Sequence, residues 1–260
     1  MEARIDGKVT LVTGATQGIG RAIAEAAARS GAAGLLLTGR DSDRGAAVAK
    51  QLSDEGVPTF FVAADLADDS APARLVSECL GRFGRIDALV NAAALTDRGS
   101  ILDADVDLWA ALFAVNARAP FFLMQEVIKA MRERGQGGAI VNILSINAYC
   151  GAPELAVYSA TKAALSLLTR NAANAHRFDR IRVNGINMGW TDTPGERVMQ
   201  AETLGNGPGW LEQAGASQPF GRLFVPEDVA NLAIFLLSDA AGPMTGALID
   251  QMQSVIGANA

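Results

Sequence analysis

The sequence predicts an α/β fold, a doubly wound parallel sheet of about seven strands with helices on both faces, formed as one domain over residues 1–260. Three observations lead there. Short β-branched or leucine-rich runs alternate with longer segments of helical spacing, a glycine-rich turn joins the first such run to the first helix, and no repeat, low-complexity block or Pro/Ser-rich linker divides the chain.

The elements follow in order. VTLVT at 9–13 reads as the first strand, LLLT at 35–38 as the second, TFFVAA at 59–64 as the third and ALVN at 88–91 as the fourth; AIVNIL at 139–144, IRVNGIN at 181–187 and ALID at 247–250 complete the set. Helical spacing covers 18–30, 43–55, 68–83, 105–133, 157–176 and 226–237. Strand and helix in alternation imply βαβ crossovers and a sheet covered on both faces. The stretch 189–220 reads as a long irregular insertion, rich in Gly and Pro and holding Trp190 and Trp210, placed as a substrate loop. The bland alternative is an ordered surface loop.

Composition limits the chemistry. Half of the chain is hydrophobic, enough for a large core, and a net charge of −6 lacks the basic footprint of a nucleic-acid binder. The N-terminus shows no signal-peptide pattern, and no single apolar run approaches the roughly 20 residues of a membrane span, so a cytoplasmic protein without a membrane partner is expected. Cys79 and Cys150 have no metal-ligand spacing, and His176 is the only histidine; no metal site and no imidazole-based triad is expected.

In TGATQGIG, residues 13–20, Gly14 permits a tight turn, Gly18 lets backbone approach a ligand and Gly20 lets the following helix pack on the sheet. Following a strand and opening a helix, the turn reads as a dinucleotide pyrophosphate site, with Thr16, Gln17 and Ile19 contributing. Beyond it, Gly39 brings no carboxylate against a 2′-phosphate and Arg40 offers a cation, which favours NADP; Asp41 and Asp43 keep NAD possible.

Tyr158 and Lys162, in AVYSATKAAL, stand at i and i+4 and so share a helix face. An ammonium beside a phenol stabilises phenolate and is expected to draw the tyrosine pKa of about 10 toward neutrality, fitting Tyr158 for general acid–base work. Lysine is scarce here, occurring only as Lys8, Lys50, Lys129 and Lys162.

With TGATQGIG at 13–20 and YSATK at 158–162, the chain resembles the classical short-chain dehydrogenase/reductase family along nearly its whole length. The resemblance implies a Rossmann-type fold and an NAD(P)-dependent oxidoreductase interconverting a secondary alcohol (a polyol, sugar alcohol or similar) and a ketone. It implies a catalytic tetrad of Asn116, Ser145, Tyr158 and Lys162. Tyr158 would transfer the proton, Lys162 lower its pKa and hold the nicotinamide ribose, Ser145 bond the substrate oxygen and Asn116 support a relay water. It further implies cofactor contacts at Asp65, Leu66, Asn91, Gly189, Thr191 and Thr193, and a homotetramer.

Two departures touch the pocket. NMGWTDTPGE places Met188 where the family usually has proline and sets Trp190 after Gly189, and IDQMQSVIGA replaces the family's common Asp-Gly-Gly. Trp190 either walls the pocket or packs. Ser145, Asn147, Cys150 and Trp190 are expected to line the pocket, with Tyr149 and Pro153 nearby. A 3-oxoacyl thioester reductase and a catalytically idle dinucleotide-binding regulator remain as alternatives, and an epimerase or dehydratase is a further one.

Overall fold

The computed structural model describes residues 3–255. Seven parallel strands, β1 (Val9–Thr13), β2 (Gly34–Gly39), β3 (Thr59–Ala63), β4 (Ala88–Asn91), β5 (Gly138–Ile143), β6 (Ile181–Met188) and β7 (Leu248–Gln251), lie in the order β3-β2-β1-β4-β5-β6-β7. The order reverses between β1 and β4, the place where an open α/β sheet leaves a crevice beyond its strand ends.

Helices cover both faces because neighbouring strand residues alternate between them. Val12, Leu35 and Leu37 join one core with α1 (Gly18–Arg29), α2 (Ser42–Asp54) and α9 (Pro226–Leu237). Leu11, Leu36 and Leu89 join the other with α3 (Ala71–Phe83), α5 (Ala119–Arg134) and α6 (Ala156–His176). Both faces being buried, β1, β2, β4 and β5 read as almost unbroken apolar runs.

Two segments differ from the sequence-based expectation. The helix foreseen over 105–133 is α4 (Val106–Phe113) and α5 joined by a π-helical turn at Ala114–Arg118, which carries Asn116. Together they form a 29-residue rod, Val106–Arg134, whose most apolar 18-residue stretch has a mean hydropathy of 1.3, long and apolar enough by length and composition to cross a membrane, which no single apolar run had suggested. Leu112, Leu123, Val127 and Met131 on this rod are fully buried against the protein's own core.

The insertion at 189–220 is not irregular throughout. It holds α7 (Pro194–Val198), a second π turn (Met199–Thr203) and α8 (Trp210–Ala216). Thr193 caps α7 by accepting the Glu196 N–H at 3.1 Å, and Pro194 sits at the first helical position, where its missing N–H costs nothing. Gly205 and Gly207, at φ +66° and +71°, break the chain between the π turn and α8. Of the IDQMQSVIGA segment, Ile256, Gly257 and Ala258 lie outside the described residues.

Candidate active site

The switch point between β1 and β4 opens into a cleft of about 820 Å³. Thr13 fixes its floor: the hydroxyl at the end of β1 accepts the N–H groups of Ala92 and Ala93 at 3.0 and 3.1 Å, tying the chain after β4 to the glycine turn. Gly14, at φ +67°, runs so close to that chain that a Cβ would lie 2.8 Å from Ala93 Cα. At Gly20 a Cβ would lie 2.4 Å from the Gly14 carbonyl oxygen. Only glycine lets α1 start this near the strand end.

The N-terminus of α1 has no side-chain cap on its first turn and no acid within it. Its free N–H groups and the positive end of its dipole therefore suit an anion, as a pyrophosphate cradle requires. Thr16, Gln17, Gly18, Ile19 and Arg40 line the same cleft, as do Asp65, Leu66, Gly189, Thr191 and Thr193. Asp65 spends one carboxylate oxygen on the Ala67 N–H at 2.9 Å. The residues present fit a dinucleotide.

Further along the cleft, α6 brings Tyr158 and Lys162 to face Ser145 at the end of β5. Both side chains of the dyad are buried, at 8% and 3% exposure. Burial pushes the Tyr158 phenol up to about 12; the neighbouring Ser145 hydroxyl pulls it down, Glu196 pushes it up and Arg98 pulls it down. Burial pushes the Lys162 ammonium down to about 8. Lys162 Nζ donates to the Ile143 carbonyl at 2.8 Å and sits 5.7 Å from the centre of the Tyr158 ring.

This corrects the expectation of a tyrosine drawn toward neutrality. The ammonium is committed to the end of β5, and removal from water dominates the phenol. Tyr158 thus holds its proton at neutral pH, the state a general acid needs.

A family model described as "Enoyl-(Acyl carrier protein) reductase" matches residues 14–250, from the first glycine of the cradle to β7. The chain belongs to the short-chain dehydrogenase/reductase family. A sorbitol dehydrogenase of Cereibacter sphaeroides is 37% identical over 98% of both chains. An NADP-dependent (R)-specific alcohol dehydrogenase of Lentilactobacillus kefiri is 32% identical over 95% of this chain and 96% of its own. In three dimensions the L-sorbose reductase of Gluconobacter frateurii, solved with NADPH and L-sorbose, matches all of both chains with a TM-score of 0.93 at 32% identity.

Several residues that the family resemblance assigned to the site stand elsewhere. Asn91 does not line the cleft; it is buried in the sheet, where its Nδ2 donates to Asn142 Oδ1 at 2.8 Å, and Asn142 in turn donates to Thr169 Oγ1 at 2.8 Å. Two amides and a hydroxyl are therefore linked beneath the cleft, with the Asn91 Oδ1 left buried and without a partner among the described residues. Asn116 is also fully buried, with Oδ1 accepting the Leu95 N–H at 2.8 Å and Nδ2 donating to the Leu95 carbonyl at 2.9 Å and to Thr161 Oγ1 at 3.2 Å. Its side chain anchors the loop after β4 to the π turn and α6 rather than facing the cleft.

Cys150 and Pro153 also stay outside the cleft lining, and Tyr149 turns away, its hydroxyl donating to Asp250 Oδ1 at 2.9 Å and accepting from Asn187 Nδ2 at 3.1 Å. Asn147 and Trp190 do line the cleft. Trp190 stacks on Trp210 with ring centres 6.2 Å apart.

The structure adds partners that sequence reasoning passed over, Arg44 first among them. Asp41, the apparent obstacle to NADP, caps α2 through the Arg44 N–H at 2.9 Å and pairs with the Arg44 guanidinium at 2.6 Å, which holds its carboxyl below the usual range. Arg44 also bonds the Gln17 side chain at the rim of the glycine turn. A Cβ at Gly39 would lie 2.7 Å from Thr16 Cγ2, so a side chain there requires the Thr16 side chain to shift. Arg98 on the loop after β4, with Glu196 and Gln200 on the insertion, completes the far wall. The Thr193–Pro–Gly–Glu196 spacing, a capping-box pattern, was the legible signal for Glu196.

Proposed function

We propose that this NAD(P)-dependent oxidoreductase interconverts a secondary alcohol of the polyol or sugar-alcohol type and its ketone, using NADP, with Tyr158 as the proton donor and acceptor. The observation that carries the proposal is the convergence, in one cleft, of an uncapped helix N-terminus with a buried Tyr158–Lys162 pair and Ser145. When bound, the reduced nicotinamide supplies the hydride for the carbonyl carbon.

The protein's own residues do the rest. Tyr158 gives its hydroxyl proton to the carbonyl oxygen as negative charge develops there, and Ser145 donates a hydrogen bond to the same oxygen. Lys162, buried and fixed by the Ile143 carbonyl, keeps a positive charge near the forming alkoxide and has N–H donors left for a ribose. Asn116 positions the loop after β4 and the start of α6 through Leu95 and Thr161. Arg40 and Arg44, with the Asp41 charge offset, favour a 2′-phosphate; the NADP named for the Lentilactobacillus enzyme and the NADPH of the Gluconobacter complex support the same preference.

Residues 1–260 are read as one dinucleotide-binding and catalytic domain with 189–220 as its substrate loop. A second reading, reduction of a 3-oxoacyl thioester, is favoured by the description of the matching family model. A homotetramer is supported by apolar side chains left in solvent on α4, α5 and α6, among them Trp109, Phe121, Phe122 and Leu167; sedimentation as a monomer would remove it. A cytoplasmic setting accords with two free thiols, Cys79 and Cys150.

The test is nicotinamide absorbance with NADPH and NADH against a panel of ketoses, simple ketones and a 3-oxoacyl thioester. Ketose reduction with NADPH supports the proposal, and thioester reduction alone replaces it with the second reading. Cofactor binding without turnover of any of them overturns both.

A further inference from the structure

Glu196 is an unusual group to find beside a buried acid–base residue. One of its oxygens, Oε1, accepts two hydrogen bonds, from Trp190 Nε1 at 2.9 Å and Gln200 Nε2 at 2.7 Å. Gln200 is itself buried and held by Asn206, which donates to its side-chain oxygen at 2.7 Å, and Trp190 is braced against Trp210. The carboxylate is therefore clamped in one orientation. Its second oxygen has no partner among the described residues, in a side chain that lines the cleft close enough to Tyr158 for its charge to act on the phenol.

No cation among the described residues pairs with it. The adjacent Arg197 makes a two-pronged pair with Asp192 at 2.7 Å. Arg98, which faces Tyr158 from the loop after β4, forms no ion pair among the described residues, and its Nε is buried without a hydrogen-bond partner. One carboxylate oxygen of Glu196 and the Arg98 guanidinium thus line the cleft without a partner among the described residues. A partly buried carboxylate held without a cation costs stability unless something else uses it.

A ligand that satisfies both groups must donate to one and accept from the other. A hydroxyl does both. A carboxylate-bearing substrate would gain from Arg98 and be repelled by Glu196, and a plain ketone would leave the Glu196 oxygen unsatisfied on closing out water.

We propose that Glu196 is the specificity-determining residue of the pocket: its open carboxylate oxygen receives a second substrate hydroxyl near the reacting carbon, so the enzyme selects neutral hydroxy-ketones and diols over simple ketones and alcohols. The inference rests on the oxidoreductase reading above and names the substrate class for that site. Arg98 serves as the opposing donor.

The test compares NADPH-dependent reduction of acetoin and of butanone, which differ by one hydroxyl, with L-sorbose as a larger hydroxy-ketone. The wild type is expected to favour acetoin in kcat/KM by at least about tenfold, as a charge-assisted hydrogen bond allows. In Glu196→Gln the retained carbonyl still accepts from Trp190, but an amide donor replaces the open acceptor. The amide offers the hydroxyl only a neutral hydrogen bond in place of a charge-assisted one, so the acetoin-to-butanone ratio falls several-fold through KM, and the KM for L-sorbose rises. Glu196→Asp, which keeps an acceptor, recovers part of the ratio.

The pH profile of acetoin reduction's reverse reaction supplies a second readout, because losing a Glu196 charge that faces the reacting centre lowers the apparent pKa of Tyr158, whereas a Glu196 turned away from the cleft leaves it in place. Equal losses on both ketones with an unmoved profile, or a wild type indifferent to the hydroxyl, would overturn the assignment of Glu196 and leave the oxidoreductase reading standing. A wild type that binds NADPH yet reduces neither ketone, L-sorbose nor a 3-oxoacyl thioester would overturn that reading and this inference together.

Discussion

Replacing Gly20 by alanine sets two effects of known sign against each other. Gly20 lies in the first turn of α1, where alanine's better helix propensity is worth about 1 kcal/mol. Against it, the new Cβ would meet the Gly14 carbonyl oxygen at 2.4 Å, the Gly14 carbonyl carbon at 2.7 Å and the Thr13 carbonyl oxygen at 2.9 Å, all backbone. Restoring ordinary contact takes a shift of about 1 Å in the start of α1 or in the turn, and overpacking of that kind costs about 1–3 kcal/mol. With three backbone atoms under 3.0 Å the clash prevails, for a net loss of up to about 2 kcal/mol and a Tm lower by roughly 2–4 °C per kcal/mol.

The same shift draws the α1 N–H groups away from the pyrophosphate site, so the rise in Tm on adding NADPH should shrink as well. Thermal unfolding with and without NADPH reads both quantities. Gly81→Ala is the internal control: it is also helical, in α3, but a Cβ there meets nothing within 4 Å, so it should gain up to about 1 kcal/mol and keep the full NADPH response. If Gly20→Ala stabilised the protein as Gly81→Ala does, with an undiminished NADPH response, the close-packing account of the cradle would be refuted.

Three other outcomes follow from the same geometry. Arg40→Ala should weaken NADPH binding about tenfold or more while moving NADH affinity far less, and the double change with Arg44→Ala should widen the gap; equal losses by fluorescence titration would reject the 2′-phosphate assignment. Burial pushes Asp87 up, but hydrogen bonds from Arg85, the Val9 N–H and Arg134 hold it below the ordinary carboxylate range. Since its folded pKa is the lower one, its contribution is present above about pH 4 and is lost as pH falls through the folded value, and Asp87→Ala should cost about 3 kcal/mol at neutral pH in denaturant unfolding. With Tyr158 pushed up to about 12, the base form needed for alcohol oxidation grows with every unit of pH; kcat/KM for oxidation should climb between about pH 7 and 10, while ketone reduction should not.

The sheet was legible because its strands are buried on both faces and stand out as apolar runs between helical periods. Glycines 14 and 20 were legible because a Cβ at either would run into backbone, and Gly18 because its φ of +55° favours glycine. The Tyr158–Lys162 pair was legible because helical spacing alone puts i and i+4 side by side. What spacing does not encode is where a polar side chain finds its partner. Asn91 and Asn116 look like site residues, yet long-range hydrogen bonds hold the first, through its Nδ2, to Asn142 on β5 and the second to Leu95 on the loop after β4. Asp41 looked like an obstacle to NADP until Arg44, one helical turn on, was seen to claim it. Glu196 acquires its meaning from Trp190 and Gln200 inside an insertion whose helices are obscured by its glycines.

The central claim, proton transfer by a buried Tyr158, is tested most directly by Tyr158→Phe, measured for NADPH affinity and for ketose reduction on the same preparation. Only a hydroxyl is removed and the ring remains to pack, so the account predicts near-unchanged NADPH affinity with kcat lowered by about 10²–10⁴. A variant that binds NADPH and reduces ketoses at close to the wild-type rate would contradict it.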